Sequence, residues 1–264
     1  MEAEDAMRRG VSILRRDLSL LPGHGEDNSE TGEKESTEIE RLQENLSSAL
    51  CSLAELLMGM IHDALDEADE EESVLSSSQA VECEQLLTEA RQLWPSSPEP
   101  LQALCSLRVM QGREEEALQL LYQSLTLWHV VVPPEEQEDE TTHVNTEDQS
   151  LPCQEGEIVC VNHDANIPSY EFRFETAKLL LELEETTFTA AEVLEGLLEE
   201  NDSVPDVWLL LAVAYRAGGE LESAAEAAVN GATLARKQGL SEDHEVVAAL
   251  EELEKELQPH LSQG

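Results

Sequence analysis

Apolar residues recur at spacings of three and four along most of the chain, and the gaps in that rhythm divide it. Ile39, Leu42, Leu46, Leu50, Leu53, Leu57, Met60, Ile61 and Leu65 fall on one stripe of a long amphipathic helix. Thr37 and Glu40 stand in the T-x-x-E arrangement of a capping box, which sets the predicted start of that helix. Its predicted end is the run Asp66, Glu67, Asp69, Glu70, Glu71 and Glu72, where six carboxylates in seven positions repel one another, followed by Ser76 to Ser78. Upstream, residues 22–36 hold hardly an apolar side chain, so residues 1–36 read as a flexible N-terminal arm. Within that arm Val11 to Leu21 is interrupted by Arg15 and Arg16, which a signal-peptide core does not tolerate. Arg8, Arg9, Arg15 and Arg16 would suit a transit peptide, but Glu2, Glu4 and Asp5 would not. No apolar run is expected to approach the roughly 18 residues of a membrane span.

From Gln79 onward the predicted helices are shorter and come in pairs. The clearest unit follows Pro205: Trp208, Leu211, Ala212 and Tyr215 on a first helix, then Gly219, Ala224, Ala228 and Gly231. This is the tetratricopeptide pattern W-x2-L-G-x2-Y with its small second-helix residues. Large residues fill the space between repeats, small ones (Ala212, Ala224) let paired helices approach, and Gly219 supplies a permissive turn. Ala177 stands 35 residues before Ala212 and is followed 13 residues later by Ala190. Another unit starts at Pro98, with Leu101, Leu104, Cys105, Gly112, Ala117, Leu121 and Ser124. Cys83, Leu87, Ala90 and Pro95 close an earlier one whose degenerate first half is the long helix. The predicted fold is therefore all-α, a tetratricopeptide helical-repeat solenoid over 37–258 with acidic flexible segments. Its units are 37–95, 98–131, 168–203 and 205–238. A capping helix over 241–258, opened by Ser241 and stopped near Pro259, covers the last apolar face, and 259–264 form a tail. An insert from about His129 to Ile167 interrupts the array. It carries Pro133, Pro134 and seven acidic residues between Glu135 and Asp148 without one Lys or Arg, and its end, Glu157 to Val161, is apolar enough for a short strand.

Composition sharpens the functional classes. The 264 residues hold 58 Asp and Glu against 15 Lys and Arg, a formal net charge of −43, with 41% hydrophobic but only 3% aromatic residues. Such a field argues against nucleic acid, whose phosphates need basic surface, and against anionic membranes. A strongly basic partner would be drawn to it. Five cysteines (Cys51, Cys83, Cys105, Cys153, Cys160) without a CxxC pair suggest a reducing compartment. Cys153, Cys160 and His163 do not have a common zinc spacing, and His62 and His129 read as ordinary helix or core residues. No P-loop, GxGxxG, HExxH or GxSxG is present, so no enzyme, cofactor or metal is expected. The expected binding surface is instead the concave face lined by first helices: Glu99, Gln102, Val109, Glu171, Phe174, Lys178, Asp206, Leu209, Val213 and Arg216. These suit a segment carrying both basic and apolar side chains. A rival, a co-chaperone adaptor gripping acidic tails, needs a clamp of cations, and only Arg108, Arg173, Lys178 and Arg216 offer themselves. A histone or general basic-protein chaperone fits the charge equally well.

CEQLLTEARQLWPSSPEPLQALCSLRVMQGREEEALQLLYQSLTLW (83–128) and IPSYEFRFETAKLLLELEE (167–185), continued by VWLLLAVAY (207–215), resemble the tetratricopeptide assembly chaperones of large-subunit ribosomal protein L4. The likeness covers roughly residues 37–238. It implies a non-enzymatic escort that binds the basic internal loop of newly made L4 and shields it from aggregation and RNA. It also implies delivery to nuclear pre-ribosomes, hence a cytoplasmic and nuclear protein, with an importin reached through the client.

Overall fold

The computed structural model describes residues 2–21, 30–67, 77–129, 167–183, 187–241 and 244–261, and every regular element among them is helical. In chain order these are α1 (Glu2–Leu20), α2 (Glu30–Glu67), α3 (Ser78–Leu93), α4 (Glu99–Met110), α5 (Glu114–Leu125), α6 (Tyr170–Glu182), α7 (Thr187–Glu200), α8 (Pro205–Ala217), α9 (Leu221–Gln238) and α10 (Glu245–Leu261). Helices pack as the pairs α2–α3, α4–α5, α6–α7 and α8–α9, with α10 laid on α8 and α9. The first members, α2, α4, α6, α8 and finally α10, also touch in succession, which makes them one row of a solenoid.

The small residues explain the close pairing. Cys105 and Ala117, Ala177 and Ala190, and Ala212 and Ala224 are all fully buried. Leu211 is buried beside them, while Trp208 and Tyr215 pack half-buried against the core. Trp208 Nε1 donates to the Asp202 carbonyl at 2.9 Å, and the Tyr215 hydroxyl donates to Glu195. Two turns repeat one device. Gly112 (φ 67°) and Gly219 (φ 84°) take a left-handed conformation, and the next residue's N–H reaches back five positions, Arg113 to Arg108 O and Glu220 to Tyr215 O, both at 2.9 Å. This caps the free carbonyls at the end of α4 and α8 and reverses the chain into the second helix.

The N-terminal region differs from its expectation as a flexible arm, because residues 2–20 form α1. Val11 is buried, and Leu14 and Leu18 pack half-buried on the α2–α3 core that holds Leu46, Leu50, Leu53, Leu57 and Ile61. The arginines that interrupt the apolar run flank this stripe and reach across to α3: Arg8 grips Glu82 and Arg15 grips Glu89. Helix α2 starts at Glu30, seven residues before Thr37, so the expected capping box lies inside it. The preceding Glu and Lys residues are good helix formers and simply extend the helix. By length and composition the stretch Ser36–Leu65 is apolar enough to cross a membrane, which corrects the expectation that none approaches that length. In the fold its apolar stripe is covered by α1 and α3. Helix α10 begins at Glu245, four residues past Ser241, and continues through Pro259 to Leu261. The acidic run Asp69 to Glu72, the insert with Cys153, Cys160 and His163, and the expected strand near Glu157 lie outside the described residues.

Candidate functional site

Three first helices, α2, α4 and α6, line an open groove of about 590 Å³. That size is in the range of ligand sites, about 300–1,000 Å³. Helix α2 contributes Glu55 and Met58. Helix α4 forms the floor with Glu99, Gln102, Ala103, Ser106, Val109 and Met110. Helix α6 forms the far wall with Glu171, Phe172, Glu175, Lys178, Leu179 and Glu182. Five glutamates therefore ring an apolar floor, with one lysine among the lining side chains. Two smaller hollows continue the groove. One, about 490 Å³, shares Glu99 and Phe172 and extends past Glu44, Asn45, Trp94 and Ser97. The other, about 250 Å³, shares Glu171 and Glu175 and adds Tyr170, Phe174, Val204 and Asp206. The groove thus runs along the first-helix row from α2 towards α8.

Its electrostatics are those of a negatively charged slot. Burial, and then the neighbouring Glu99, raise the Glu55 carboxyl above the usual glutamate range. Glu99 is raised likewise, first by burial and then by Glu44. These carboxylates are half-desolvated beside one another, a state that a cation would relieve. Among the described thiols, burial pushes Cys83 up to about 11 and Cys105 up to about 12, away from the reactive thiolate.

The ten expected concave-face residues divide in three. Glu99, Val109, Glu171, Phe174, Lys178 and Asp206 line the groove. Gln102 lines it too, but its side chain is only 8% exposed and is committed within the wall. Its Nε2 donates to the Phe172 carbonyl at 3.3 Å and its Oε1 lies 2.5 Å from the Thr176 hydroxyl, joining α4 to α6. Leu209, Val213 and Arg216 are not among the groove's lining residues and are engaged where α8 meets α10. Leu209 packs on Val246 and Leu250 of α10, Val213 against the core that includes Leu253, and Arg216 pairs with Glu256 at 3.0 Å. The capping helix therefore takes up the stripe that an open last repeat would present.

Glu55, Met58, Met110, Phe172, Glu175 and Glu182 were not among the expected residues. Glu175 and Glu182 continue the stripe of Glu171 and Lys178 at helical spacing, so the same register leads to them. Glu55 and Met58 follow once α2 is treated as a full first helix. The expected cations of an acidic-tail clamp are each engaged by the chain's own carboxylates. Arg108, buried, holds Glu84 at 2.5 Å, Arg173 holds Glu200, Lys178 holds Glu175 and Arg216 holds Glu256.

No family model matches the chain. An Emericella nidulans protein named probable assembly chaperone of rpl4 is 34% identical over 128 residues, 48% of this chain and 26% of the relative. A Schizosaccharomyces pombe protein of the same name is 28% identical over 204 residues, 77% of this chain and 44% of the relative. The chain thus spans about a quarter and under half of these two relatives. Among solved structures, that of the assembly chaperone of RpL4 (Acl4, residues 1–338) superposes with a TM-score of 0.51 at 25% identity. The alignment covers 84% of this chain and 62% of that one.

Proposed function

We propose that this chain, a tetratricopeptide-type solenoid similar to the assembly chaperones of rpl4, is itself a non-enzymatic chaperone of ribosomal protein L4. The observation that carries the reading is the groove between α2, α4 and α6, where five glutamates surround Met58, Val109, Met110 and Leu179. An extended segment with basic side chains for the carboxylates and apolar ones for the floor fits that lining. A basic internal loop of L4, held so, is kept from aggregation and from RNA until L4 reaches nuclear pre-ribosomes. Charge supplies encounter rate and sensitivity to salt, while the apolar floor supplies what salt does not remove. On this reading the protein works in both cytoplasm and nucleus, and an importin joins through the client. The engagement of Arg108, Arg173, Lys178 and Arg216 by internal carboxylates speaks against the acidic-tail adaptor.

Affinity purification from cell extract at low and at moderate salt, with partners identified by mass spectrometry, tests the proposal. L4 should persist at moderate salt while other basic proteins leave. Histones or a broad basic set, all lost with salt, would make the acidity a generic sponge and sink the reading.

A further inference from the structure

Lys178 sits between a carboxylate and an aromatic ring at the edge of the groove. Its Nζ lies 2.9 Å and 3.1 Å from the two oxygens of Glu175 and 5.9 Å from the centre of the Phe174 ring. Carboxylate on one side and aromatic face on the other is the pair of contacts that recognises an ammonium or guanidinium group. Both anchors also line the groove's end beside Asp206, and Lys178 is the one cation among the groove's described lining residues. It is half-exposed and so able to leave.

We infer that Lys178 is a placeholder for a basic side chain of the client, a specificity-determining residue of the groove. The inference rests on the groove being the client site. In the free protein Lys178 occupies the Glu175–Phe174 position and keeps that carboxylate from standing bare among Glu171 and Glu182. A client lysine or arginine takes the position and Lys178 swings into water. Each bound client therefore exchanges one cation for another at this point instead of adding one. A segment with a single basic residue gains little from the exchange. A densely basic segment still gains at Glu55, Glu99 and Asp206, so the placeholder selects for charge density.

The test measures binding of a fluorescent peptide of alternating lysine and leucine to the full-length chain by anisotropy, at low salt. Lys178→Met should tighten binding by about two- to fivefold, the scale of an exposed ion pair. The gain should shrink as salt is raised and vanish in a Glu175→Gln background, because the place being held is then gone. Unchanged or weaker binding by Lys178→Met overturns the inference, and so does an equal gain in the Glu175→Gln background, which would make Lys178 a diffuse charge only. Glu99→Lys run alongside separates the two levels. Weaker binding there with no effect of Lys178→Met sinks the placeholder alone, whereas no effect of either substitution sinks the groove as the client site as well. Circular dichroism of each variant establishes that α6 and the solenoid remain folded.

Discussion

On the proposed reading, Glu55 and Glu99 serve binding at the expense of folding. Both carboxyls are raised by burial and by neighbouring glutamates. A carboxyl whose pKa is higher in the folded than in the unfolded chain destabilises the fold while ionised, and that cost disappears as pH falls through the raised value. Binding of a cation lowers the same pKa. If the groove is the client site, affinity should be complete above the raised range and should fall as pH drops through it, in a window starting above the ordinary glutamate range. Glu99→Gln should accordingly stabilise the free protein by a few tenths of a kcal/mol, the scale left after solvent screening. It should also weaken client binding about two- to fivefold and flatten its acid dependence. Thermal melts and binding titrations across the mildly acidic range check both arms. A variant that is less stable and binds unchanged would show that Glu99 has a structural and not a binding role.

At the scale of elements, the repeats from Pro98 onward are legible in the sequence because each carries its own signature of small and large residues at fixed spacing. Gly112, Gly219 and the alanine pairs need no distant partner to be understood. Helix α1 is different. Its stripe of Val11, Leu14 and Leu18 is short, and the arginines beside it look like interruptions until Glu82 and Glu89 of α3 are placed opposite them. The same blindness to distant partners affects the binding face. The register identifies which side of α8 carries Leu209, Val213 and Arg216, but only the fold shows α10 packed there. It likewise finds Glu99, Glu171, Phe174 and Asp206 on α4, α6 and α8, while Gln102 looks free until Thr176 meets it. The two arginine pairs of α1 are exposed enough to be worth up to about 1 kcal/mol each. Arg8→Ala with Arg15→Ala should therefore release α1 without unfolding the solenoid. Amide exchange should speed across 2–20 and stay slow in α8 and α9. Unchanged protection of α1 would mean that Val11 and its neighbours hold the helix alone.

Over the whole molecule, a net charge of −43 would repel a compact fold and attract almost any basic protein. On the proposed reading selectivity comes from the groove, where five glutamates surround an apolar patch, while Arg108, Arg173, Lys178 and Arg216 are already paired with carboxylates of the same chain. On the proposed reading, Glu99, Glu171 and Asp206 along α4, α6 and α8 form one contact surface for basic L4. The most direct measurement is the Kd of purified L4 for the wild-type chain and for the triple variant Glu99→Lys, Glu171→Lys and Asp206→Lys, at matched salt. All three side chains reach solvent, Glu99 from a partly covered position on the groove wall, so helix content should hold by circular dichroism. The triple variant should lose several kcal/mol in total, the scale of lost and reversed charge contacts. A folded triple variant that binds L4 as tightly as wild type would place the client elsewhere on the protein.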